Sequence, residues 1–568
     1  MTPTRSGGRI LIDQLVAHGT KLAFCVPGES YLAALDALYD TPSLRLVVCR
    51  MEAGAANMAC AHGQLTGAPG ICFVTRGPGA AHAAVGVHTA RQGSVPMLLL
   101  VGQVPRSHRG REAFQEIDIE AMFAPLAKWV AYANAADQIP ELVAQAFARA
   151  CEGRPGPVVL ALPEDVLAEE SAVTDATPLP LTPARPSADA VVRARELVAA
   201  ATRPLVVVGG GAWSRTAADG VRELCESWGV PVASAFRRQD HIDNDSAVYC
   251  GMLGLGMDPR LAARARDADV LLAIGTRLDE PTTGAYTIVS PPQPRQALIH
   301  VHADVAELGR VFEPALAIHG GADEFARAAR ALPGPDPTRW SEWTARARAD
   351  AVGFRTPAED DLNPGGERDG GIDLAGAISR LRDELGPEAI VANGAGNYAL
   401  WVHRYWRYGA YGTELAPVSG AMGYGVPAAI AAKLAHPDRP VISFNGDGCF
   451  LMCGQELATA VQHGAAPVFV VVDNSSYGTI RSHQQRRHPG RPVGTELVNP
   501  DFVAYARAFG VQSTSVQRAD ELVAAVLDGV AADRPTLVHV PLSPERLTPP
   551  VPAPAPAASP APRSPEPA

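Results

Sequence analysis

A glycine-flanked aspartate and an asparagine follow two neighbouring apolar runs and could together hold a metal–phosphate group. Asp447 lies in Gly446-Asp447-Gly448, and Asn474 follows the next apolar run along the chain. A hard divalent ion such as Mg²⁺ takes oxygen ligands, which the Asp447 carboxylate, the Asn474 side-chain amide and the Ser476 backbone carbonyl would supply. The alternative is an ordinary strand–loop–helix turn in which Asp447 caps the helix.

Both side chains are predicted to stand at the carboxyl end of a strand, the edge at which open α/β sheets bind ligands. Glycines allow the backbone to approach a phosphate closely, and the N-terminus of the following helix favours its negative charge. Phosphate oxygens would complete the shell of the metal ion. The pair therefore predicts a magnesium–diphosphate site at the edge of a sheet.

Short apolar runs ending in glycine or proline alternate with Ala-rich amphipathic stretches along the chain, which indicates α/β domains with parallel sheets. Three series of runs are predicted to be strands. The first comprises Leu22–Val26, Leu46–Cys49, Ile71–Thr75, Met97–Val101 and Val158–Leu162; the second Leu205–Val208, Val232–Ala235, Val270–Ile274 and Leu298–Val301; the third Ala389–Ala392, Val441–Phe444, Val468–Val472 and Leu537–Val540. We expect three Rossmann-like domains, at 1–176, 187–334 and 372–547, followed by a disordered Pro/Ala-rich tail at 548–568.

The composition excludes several classes of function. A formal net charge of −11 over 568 residues with no basic stripe argues against nucleic-acid binding. No apolar run approaches the roughly 20 residues that cross a bilayer, and the first residues lack the apolar core of a signal peptide. The nine cysteines are scattered and predict reduced packing residues. We expect a soluble cytoplasmic protein that acts on a small molecule.

The pairing of Asp447 with Asn474 resembles the thiamine diphosphate motif shared by acetolactate synthases, pyruvate oxidases and decarboxylases. Matching segments run in order from about Ile10 to Pro541, and the resemblance is to the acetolactate synthase large subunit in particular. It implies a pyrimidine-binding, a central and a diphosphate-binding domain. The family's usual Asn-Asn is Asp473-Asn474 here; because the second residue is the family's metal ligand, Asn474 preserves the predicted Mg²⁺ site.

Within this resemblance, Glu52 in Arg50-Met51-Glu52-Ala53-Gly54 matches the glutamate that contacts N1′ of the cofactor's aminopyrimidine. The C2 proton of the thiazolium must be removed, and the cofactor's own 4′-imino group removes it. A carboxylate hydrogen-bonded to N1′ stabilises the tautomer that carries this base. By residue type alone, Glu52 reads as a surface acid at a helix N-terminus. Glu52 and Asp447 meet across a subunit interface in the family, which implies a homodimer or tetramer.

The resemblance also assigns the other cofactor-binding residues. Val26-Pro27-Gly28 matches a loop beside the pyrimidine, and Thr75 opens the turn Thr75-Arg76-Gly77-Pro78-Gly79. Met422 matches the bulky apolar residue that supports the bent cofactor, although methionine is more often core filler. The predicted set is Pro27, Gly28, Glu52, Thr75, Gly396, Asn397, Tyr398, Gly420, Met422, Gly446, Asp447, Gly448, Cys449, Asn474, Ser476, Tyr477 and Gly478.

Three further residues resemble the substrate pocket of acetolactate synthase and are catalytic candidates beside Glu52: Phe114, Gln115 and Lys128. The competing interpretation makes Phe114 core and Lys128 a solvated charge. The His-His pair typical of pyruvate-decarboxylase-type enzymes is missing from this region, since His108 stands alone. The resemblance therefore favours carboligation over direct release of an aldehyde.

Three substitutions separate the chain from acetolactate synthase. Pro281 replaces an arginine that seats the second oxo acid, His483 replaces a tryptophan that sorts acceptors, and Gly256 replaces a histidine near FAD. Proline cannot reproduce the bidentate carboxylate clamp of a guanidinium. The triplet Gly209-Gly210-Gly211 after a strand suggests a nucleotide pocket, but a tight turn explains it as well. FAD is thus left open as a cofactor and disfavoured by the substitutions.

The leading hypothesis is Mg²⁺- and thiamine diphosphate-dependent decarboxylation of a pyruvate-like 2-oxo acid, with transfer of the acyl carbanion to an acceptor. The alternatives are a lyase acting on 2-hydroxyacyl or oxalyl thioesters, for which Arg76 or the segment 106–111 could hold an anionic substrate, and a simple 2-oxo acid decarboxylase. A non-catalytic paralogue would require a lost Glu52 or Asp447, and both are present.

Overall fold

The computed structural model describes residues 4–357, 367–368, 371–543 and 548–550. These contain three six-stranded sheets in which every pairing is parallel, so the predicted three α/β domains are confirmed. The predicted boundaries enclose the three sheets and otherwise stay predictions. The predicted disordered tail lies outside the described residues from 551 onward. In the described ranges, no helix is long and apolar enough to span a membrane.

The first sheet has the strand order β3-β2-β4-β5-β7-β6. A short antiparallel pair, β1 with β8, joins the ends of the domain. The strands of the first domain, including this pair, are β1 (Arg5–Ser6), β2 (Leu22–Cys25), β3 (Arg45–Val48), β4 (Gly70–Val74), β5 (Met97–Gln103), β6 (Trp129–Tyr132), β7 (Pro157–Pro163) and β8 (Glu170–Ser171). Its helices are α1 (Gly7–Ala17), α2 (Leu32–Tyr39), α3 (Glu52–Thr66), α4 (Gly77–Gly93), α5 (Ile119–Phe123), α6 (Ile139–Cys151) and α7 (Glu164–Ala168).

The central sheet has the order β11-β10-β9-β12-β13-β14. Its strands are β9 (Pro204–Val208), β10 (Val232–Ser234), β11 (Tyr249–Met252), β12 (Val270–Ile274), β13 (Ala297–His302) and β14 (Leu316–His319). The helices are α8 (Ala188–Ala200), α9 (Arg215–Trp228), α10 (Pro259–Asp267), α11 (Ala322–Arg330) and α12 (Ser341–Arg355). Apolar cores fill the space between the sheet and the helices on both faces.

The third sheet has the order β18-β17-β19-β20-β22-β21 and follows a short antiparallel pair, β15 with β16. The strands are β15 (Glu367–Arg368), β16 (Gly371–Ile372), β17 (Ile390–Asn393), β18 (Glu414–Leu415), β19 (Val441–Gly446), β20 (Val468–Asp473), β21 (Gln512–Ser515) and β22 (Thr536–Pro541). The helices are α13 (Leu374–Leu385), α14 (Tyr398–Tyr405), α15 (Gly425–Ala435), α16 (Asp447–Phe450), α17 (Leu457–His463), α18 (Gly478–Arg487), α19 (Phe502–Ala508) and α20 (Ala519–Ala531).

The first and third domains share one apolar core, in which α3 packs against α15. Every residue of α3 from Ala53 to Ala61 is buried, because alanine and glycine at most of these positions allow close helix–helix approach. The helix that begins at Glu52 is therefore fixed by the third domain of the same chain as well as by its own sheet.

Candidate active site

A cavity of about 240 Å³ opens at the carboxyl edge of the third sheet. The loops that follow β17, β19 and β20 form most of its wall. Thirteen residues predicted to contact the cofactor line it: Gly396, Asn397, Tyr398, Gly420, Met422, Gly446, Asp447, Gly448, Cys449, Asn474, Ser476, Tyr477 and Gly478. Residues that the sequence places in four separate segments thus surround one space.

Asp447 is the first residue of α16 and is only 3% exposed. Burial raises the pKa of its carboxyl to about 6, and the neighbouring Asp473 adds to this rise. Asn499 donates one hydrogen bond of 2.8 Å to Asp447 Oδ2 and another of 2.8 Å to Asp473 Oδ1. A buried carboxylate held this way, without a cation beside it, fits a divalent metal ion.

Asp473, which departs from the family's asparagine, takes part in a hydrogen-bond network at the end of β20. Its Oδ2 lies 3.1 Å from Nε2 of His539, and Oδ1 accepts the backbone N–H of Ser475 at 2.9 Å. Burial acts to raise the pKa of Asp473, but these bonds outweigh it and lower the pKa to about 2. Asp473 is therefore ionised beside the predicted metal site. Its carboxylate is bonded to neighbouring protein groups and does not line the cavity.

The remaining predicted metal ligands lie in a tight turn after β20. Oδ1 of Asn474 accepts the backbone N–H of Ser476 at 3.2 Å, and the Ser476 carbonyl accepts from Gly478 at 2.8 Å. Each of these oxygens keeps a second lone pair for a metal. In the described ranges, no three His, Cys, Asp or Glu side chains cluster as a metal site. A metal at Asp447 would thus need the amide, the carbonyl and phosphate oxygens that the sequence predicts.

Tyr398 and Cys449 close the inner wall of the cavity. The Tyr398 hydroxyl accepts from the Gly394 backbone at 3.0 Å and lies 3.4 Å from the Cys449 sulfur. A Cβ added to Gly446 would lie 2.8 Å from the Tyr398 ring, so only glycine allows the end of β19 to pass there. Met422 lies at the edge of the apolar core behind the cavity, where its side chain can support a ligand.

The residues predicted in the first domain also gather at one sheet edge. Pro27 and Gly28 follow β2, Glu52 follows β3 and Thr75 follows β4, and these are three adjacent strands. A Cβ on Gly28 would lie 2.5 Å from the Thr75 side chain, so the two loops touch. Within one chain, Glu52 does not line the cavity at Asp447, which is the arrangement expected if a second subunit brings the halves together.

Two contacts of the Glu52 helix were not predicted from the sequence. His82 on α4 places Nδ1 at 2.9 Å from Glu52 Oε2. Glu456, from the third domain, accepts the backbone N–H of Met51 at 2.9 Å and that of Arg50 at 3.1 Å through Oε1. The Glu456 carboxylate thus anchors the two residues that lead into α3, a helix whose N-cap residue Met51 makes no side-chain capping bond. Neither partner has a local sequence signal, since each contact joins residues far apart in the chain.

The structure separates the substrate-pocket candidates. Phe114 is 75% exposed and Gln115 accepts the backbone N–H of Gly77 through its carbonyl, which places both beside the start of α4 near Glu52. Lys128 lies just before β6, at the amino edge of the sheet and hence at the opposite end from Glu52. Its Nζ donates to the carbonyl of Glu152, and burial lowers its pKa. A role for Lys128 stays a prediction that this chain alone does not support.

Two of the arginines considered for anion binding, Arg76 and Arg106, are already paired. Arg76 is buried and forms ion pairs with Glu29 at 2.9 Å and Glu164 at 2.5 Å. Arg106 pairs with Asp165 and Glu169 at 2.8 Å each. Their charges are therefore compensated within the chain, which removes support for a thioester-binding site at these positions.

The glycine triplet of the central domain forms a turn held by protein groups. Trp213 Nε1 donates to the Gly209 carbonyl at 2.8 Å, and Arg238 donates to the Gly210 carbonyl at 3.1 Å. Cavities of about 120 Å³ and about 10 Å³ border Gly210 or Gly211. FAD binding at this turn stays an open prediction.

Comparison with known proteins agrees with this geometry. Three models of thiamine pyrophosphate enzymes match the chain: the N-terminal TPP binding domain over residues 5–122, the central domain over 191–329 and the C-terminal TPP binding domain over 394–540. The chain belongs to the thiamine pyrophosphate enzyme family. The cavity at Asp447 lies inside the C-terminal match and Glu52 inside the N-terminal match, as expected for this family.

Relatives within the family are acetolactate synthases. The large subunit from Parasynechococcus marenigrum (strain WH8102) is 33% identical over 94% of this chain and 87% of its own length. The isozyme 2 large subunit of Escherichia coli (strain K12) is 30% identical over 94% and 95%. The probable large subunit of Methanocaldococcus jannaschii is 30% identical over 96% and 93%. The predicted resemblance is therefore confirmed over almost the whole chain.

Proposed function

We propose that this enzyme decarboxylates a pyruvate-like 2-oxo acid with thiamine diphosphate and Mg²⁺ and transfers the resulting acyl carbanion to an acceptor. The observation that carries the proposal is the cavity at Asp447, whose wall combines the predicted diphosphate and metal ligands. The family match and the acetolactate synthase relatives support the same reaction class.

Each residue has a part in this proposal. Asp447, Asn474 and the Ser476 carbonyl would hold Mg²⁺ against the diphosphate, and Met422 would support the bound cofactor from below. Glu52 would hold a proton at N1′ of the aminopyrimidine. When bound, the cofactor supplies the electron sink for the carbanion, and the surrounding apolar wall keeps water from the reacting atoms.

Two chains are needed to complete the site in this proposal. In one chain, Glu52 lies at the carboxyl edge of the first sheet and Asp447 at the carboxyl edge of the third. The third domain packs against α3, but Glu52 does not line the cavity at Asp447. A homodimer, or a tetramer built from dimers, would place Glu52 of each subunit over the cavity of its partner. Phe114, exposed beside Glu52, would then reach the substrate.

The cofactor-binding residues do not fix which acceptor substrate receives the acyl group. Pro281 offers no guanidinium for a second carboxylate, and His483 lies exposed on α18 next to Arg486. We therefore propose an acceptor that does not depend on the family's arginine clamp, such as an aldehyde. We leave FAD out of the proposal because the substitutions at Pro281, His483 and Gly256 disfavour it.

Product analysis tests the proposal. Purified protein with thiamine diphosphate and Mg²⁺ is incubated with a panel of 2-oxo acids, with and without aldehydes, and the products are identified by mass spectrometry. We expect CO₂ and a hydroxyketone that contains the acyl group. Release of free aldehyde alone would favour a simple decarboxylase, and turnover of acyl thioesters alone would favour a lyase. Glu52→Gln and Asp447→Asn serve as inactive controls.

A further inference from the structure

His82 contacts the residue on which the proposed chemistry depends. Its Nδ1 lies 2.9 Å from Oε2 of Glu52, on the adjacent and tightly packed helix. The His82 side chain is 54% exposed and that of Glu52 only 12%. The contact therefore connects an imidazole that solvent reaches with a carboxylate that is mostly enclosed.

The two oxygens of Glu52 have different surroundings. Oε2 is held by His82, whereas Oε1 faces the start of α4, where a Cβ on Gly79 would lie 3.4 Å away. Among the described residues, His82 provides the side-chain hydrogen bond to Glu52. A carboxylate with one oxygen fixed in this way can present only the other to a ligand.

We propose that His82 is a positioning residue for Glu52, holding one carboxylate oxygen so that the other is left for N1′ of the aminopyrimidine; this inference rests on the proposed function. Nδ1–H donates to Oε2, which stabilises the ionised carboxylate and leaves Oε1 to accept the proton shared with N1′ of the aminopyrimidine. No atom is transferred to His82 itself, so the proton stays between Glu52 and N1′.

The test is exchange of the cofactor's C2 proton for deuterium in the Mg²⁺-loaded protein, measured by rapid quench and NMR between pH 5.5 and 8.5. The variants are His82→Ala and His82→Asn, with His88→Ala on the same helix as a matched control. Affinity for thiamine diphosphate is measured in parallel by tryptophan fluorescence, and folding by circular dichroism.

We expect His82→Ala to slow exchange about tenfold at pH 7.5, the effect of losing one charge-assisted hydrogen bond. His82→Asn keeps a donor on a shorter side chain, so exchange should slow by only about threefold at every pH measured. Cofactor affinity and His88→Ala should match the wild type.

Exchange profiles of both His82 variants that superimpose on the wild type would overturn the inference. If His82→Ala fails to fold, the profile of His82→Asn decides alone. Failure of the proposed function looks different: in that case Glu52→Gln would exchange as fast as the wild type, or no protein would bind the cofactor.

Discussion

The carboxylate of Glu456 accepts the backbone N–H of Met51 at 2.9 Å, although the two residues are 405 positions apart and belong to different domains. Met51 immediately precedes Glu52, and Glu456 follows the Asp447 loop along the chain. The segment that carries the predicted metal ligand thus also fixes the helix that carries the predicted partner of N1′. A substitution of Glu456 in the third domain is therefore expected to alter the position of Glu52 in the first domain.

Loss of this acceptor should destabilise the protein. Glu456→Ala removes the part-buried hydrogen bonds from the N–H groups of Arg50 and Met51, and a bond to a charged acceptor contributes about 1.5 kcal/mol or less when part-exposed, so we expect the free energy of unfolding to fall by about 2 kcal/mol. Glu456→Gln keeps one acceptor oxygen and should lose about 1 kcal/mol. Urea unfolding measures both. The exposed Glu342 is the control, and an equal effect of Glu342→Ala would contradict the assignment.

Space beside this carboxylate leads to a second prediction. A Cβ on Gly54 would lie 2.4 Å from Glu456 Oε1, so Gly54→Ala must displace the Glu456 carboxylate. This cost opposes the gain from alanine's higher helix propensity. We expect the thermal midpoint to fall. Combining Gly54→Ala with Glu456→Ala should cost less than the sum of the two single changes, because the clash disappears. Strict additivity in the double variant would argue against the contact.

Asp447 and Asp473 are predicted to differ sharply in their effect on metal-dependent binding. Asp447→Asn removes the one charged metal ligand and should weaken Mg²⁺-dependent affinity for thiamine diphosphate at least about 100-fold. Asp473→Asn restores the family's Asn-Asn and removes a negative charge that does not face the cavity, so affinity should stay within about threefold. Calorimetric titration at fixed Mg²⁺ compares them. Equal losses would show that Asp473 is itself a ligand.

A buried carboxyl at the junction of the central and third domains predicts a pH effect on stability. Burial, with help from the charge of Asp240, raises the pKa of Glu414 to about 8, whereas an unfolded glutamate titrates near about 4.3. Between about pH 4.3 and about pH 8, the folded protein therefore holds a proton on Glu414 that the unfolded chain has lost. The free energy of unfolding that this proton contributes is complete below about pH 4.3 and is lost as the pH rises through about 8.

Glu414→Gln cannot titrate and isolates this effect. Relative to the wild type, its free energy of unfolding should improve by about 2–4 kcal/mol between pH 5 and pH 8. The comparison uses urea midpoints at each pH, so that buried histidines, which titrate in both proteins, cancel. A difference between the two proteins that does not change with pH would contradict the assignment.

The central strands were predictable and most edge strands were not. The predicted runs at β2, β4, β5, β9, β12, β19 and β20 are buried on both faces and therefore form continuous apolar segments. Among the edge strands of the three large sheets, β3 was predicted as Leu46–Cys49, whereas β6, β11, β14, β18 and β21 were not. Strands such as Gln512–Ser515 are mostly exposed, so their polar residues make them look like loops in the sequence.

The candidate site divides in the same way. Residues next to strand ends, such as Asp447 and Asn474, were predictable because sheet topology alone brings strand ends together. His82, Glu456 and Asn499 were not, since each reaches its partner from an unrelated segment through tertiary packing. Lys128 is a different case: its sequence segment matches the family, but the structure places it at the edge of the sheet opposite Glu52, so its role stays a prediction.

The most direct test of the central claim is release of CO₂ from pyruvate and related 2-oxo acids by wild-type protein and Glu52→Gln, each with and without thiamine diphosphate. We predict release that requires the cofactor and falls at least about 100-fold in Glu52→Gln, the scale of a lost proton-transfer partner. Release that continues undiminished in Glu52→Gln, or that needs no thiamine diphosphate, would contradict the account.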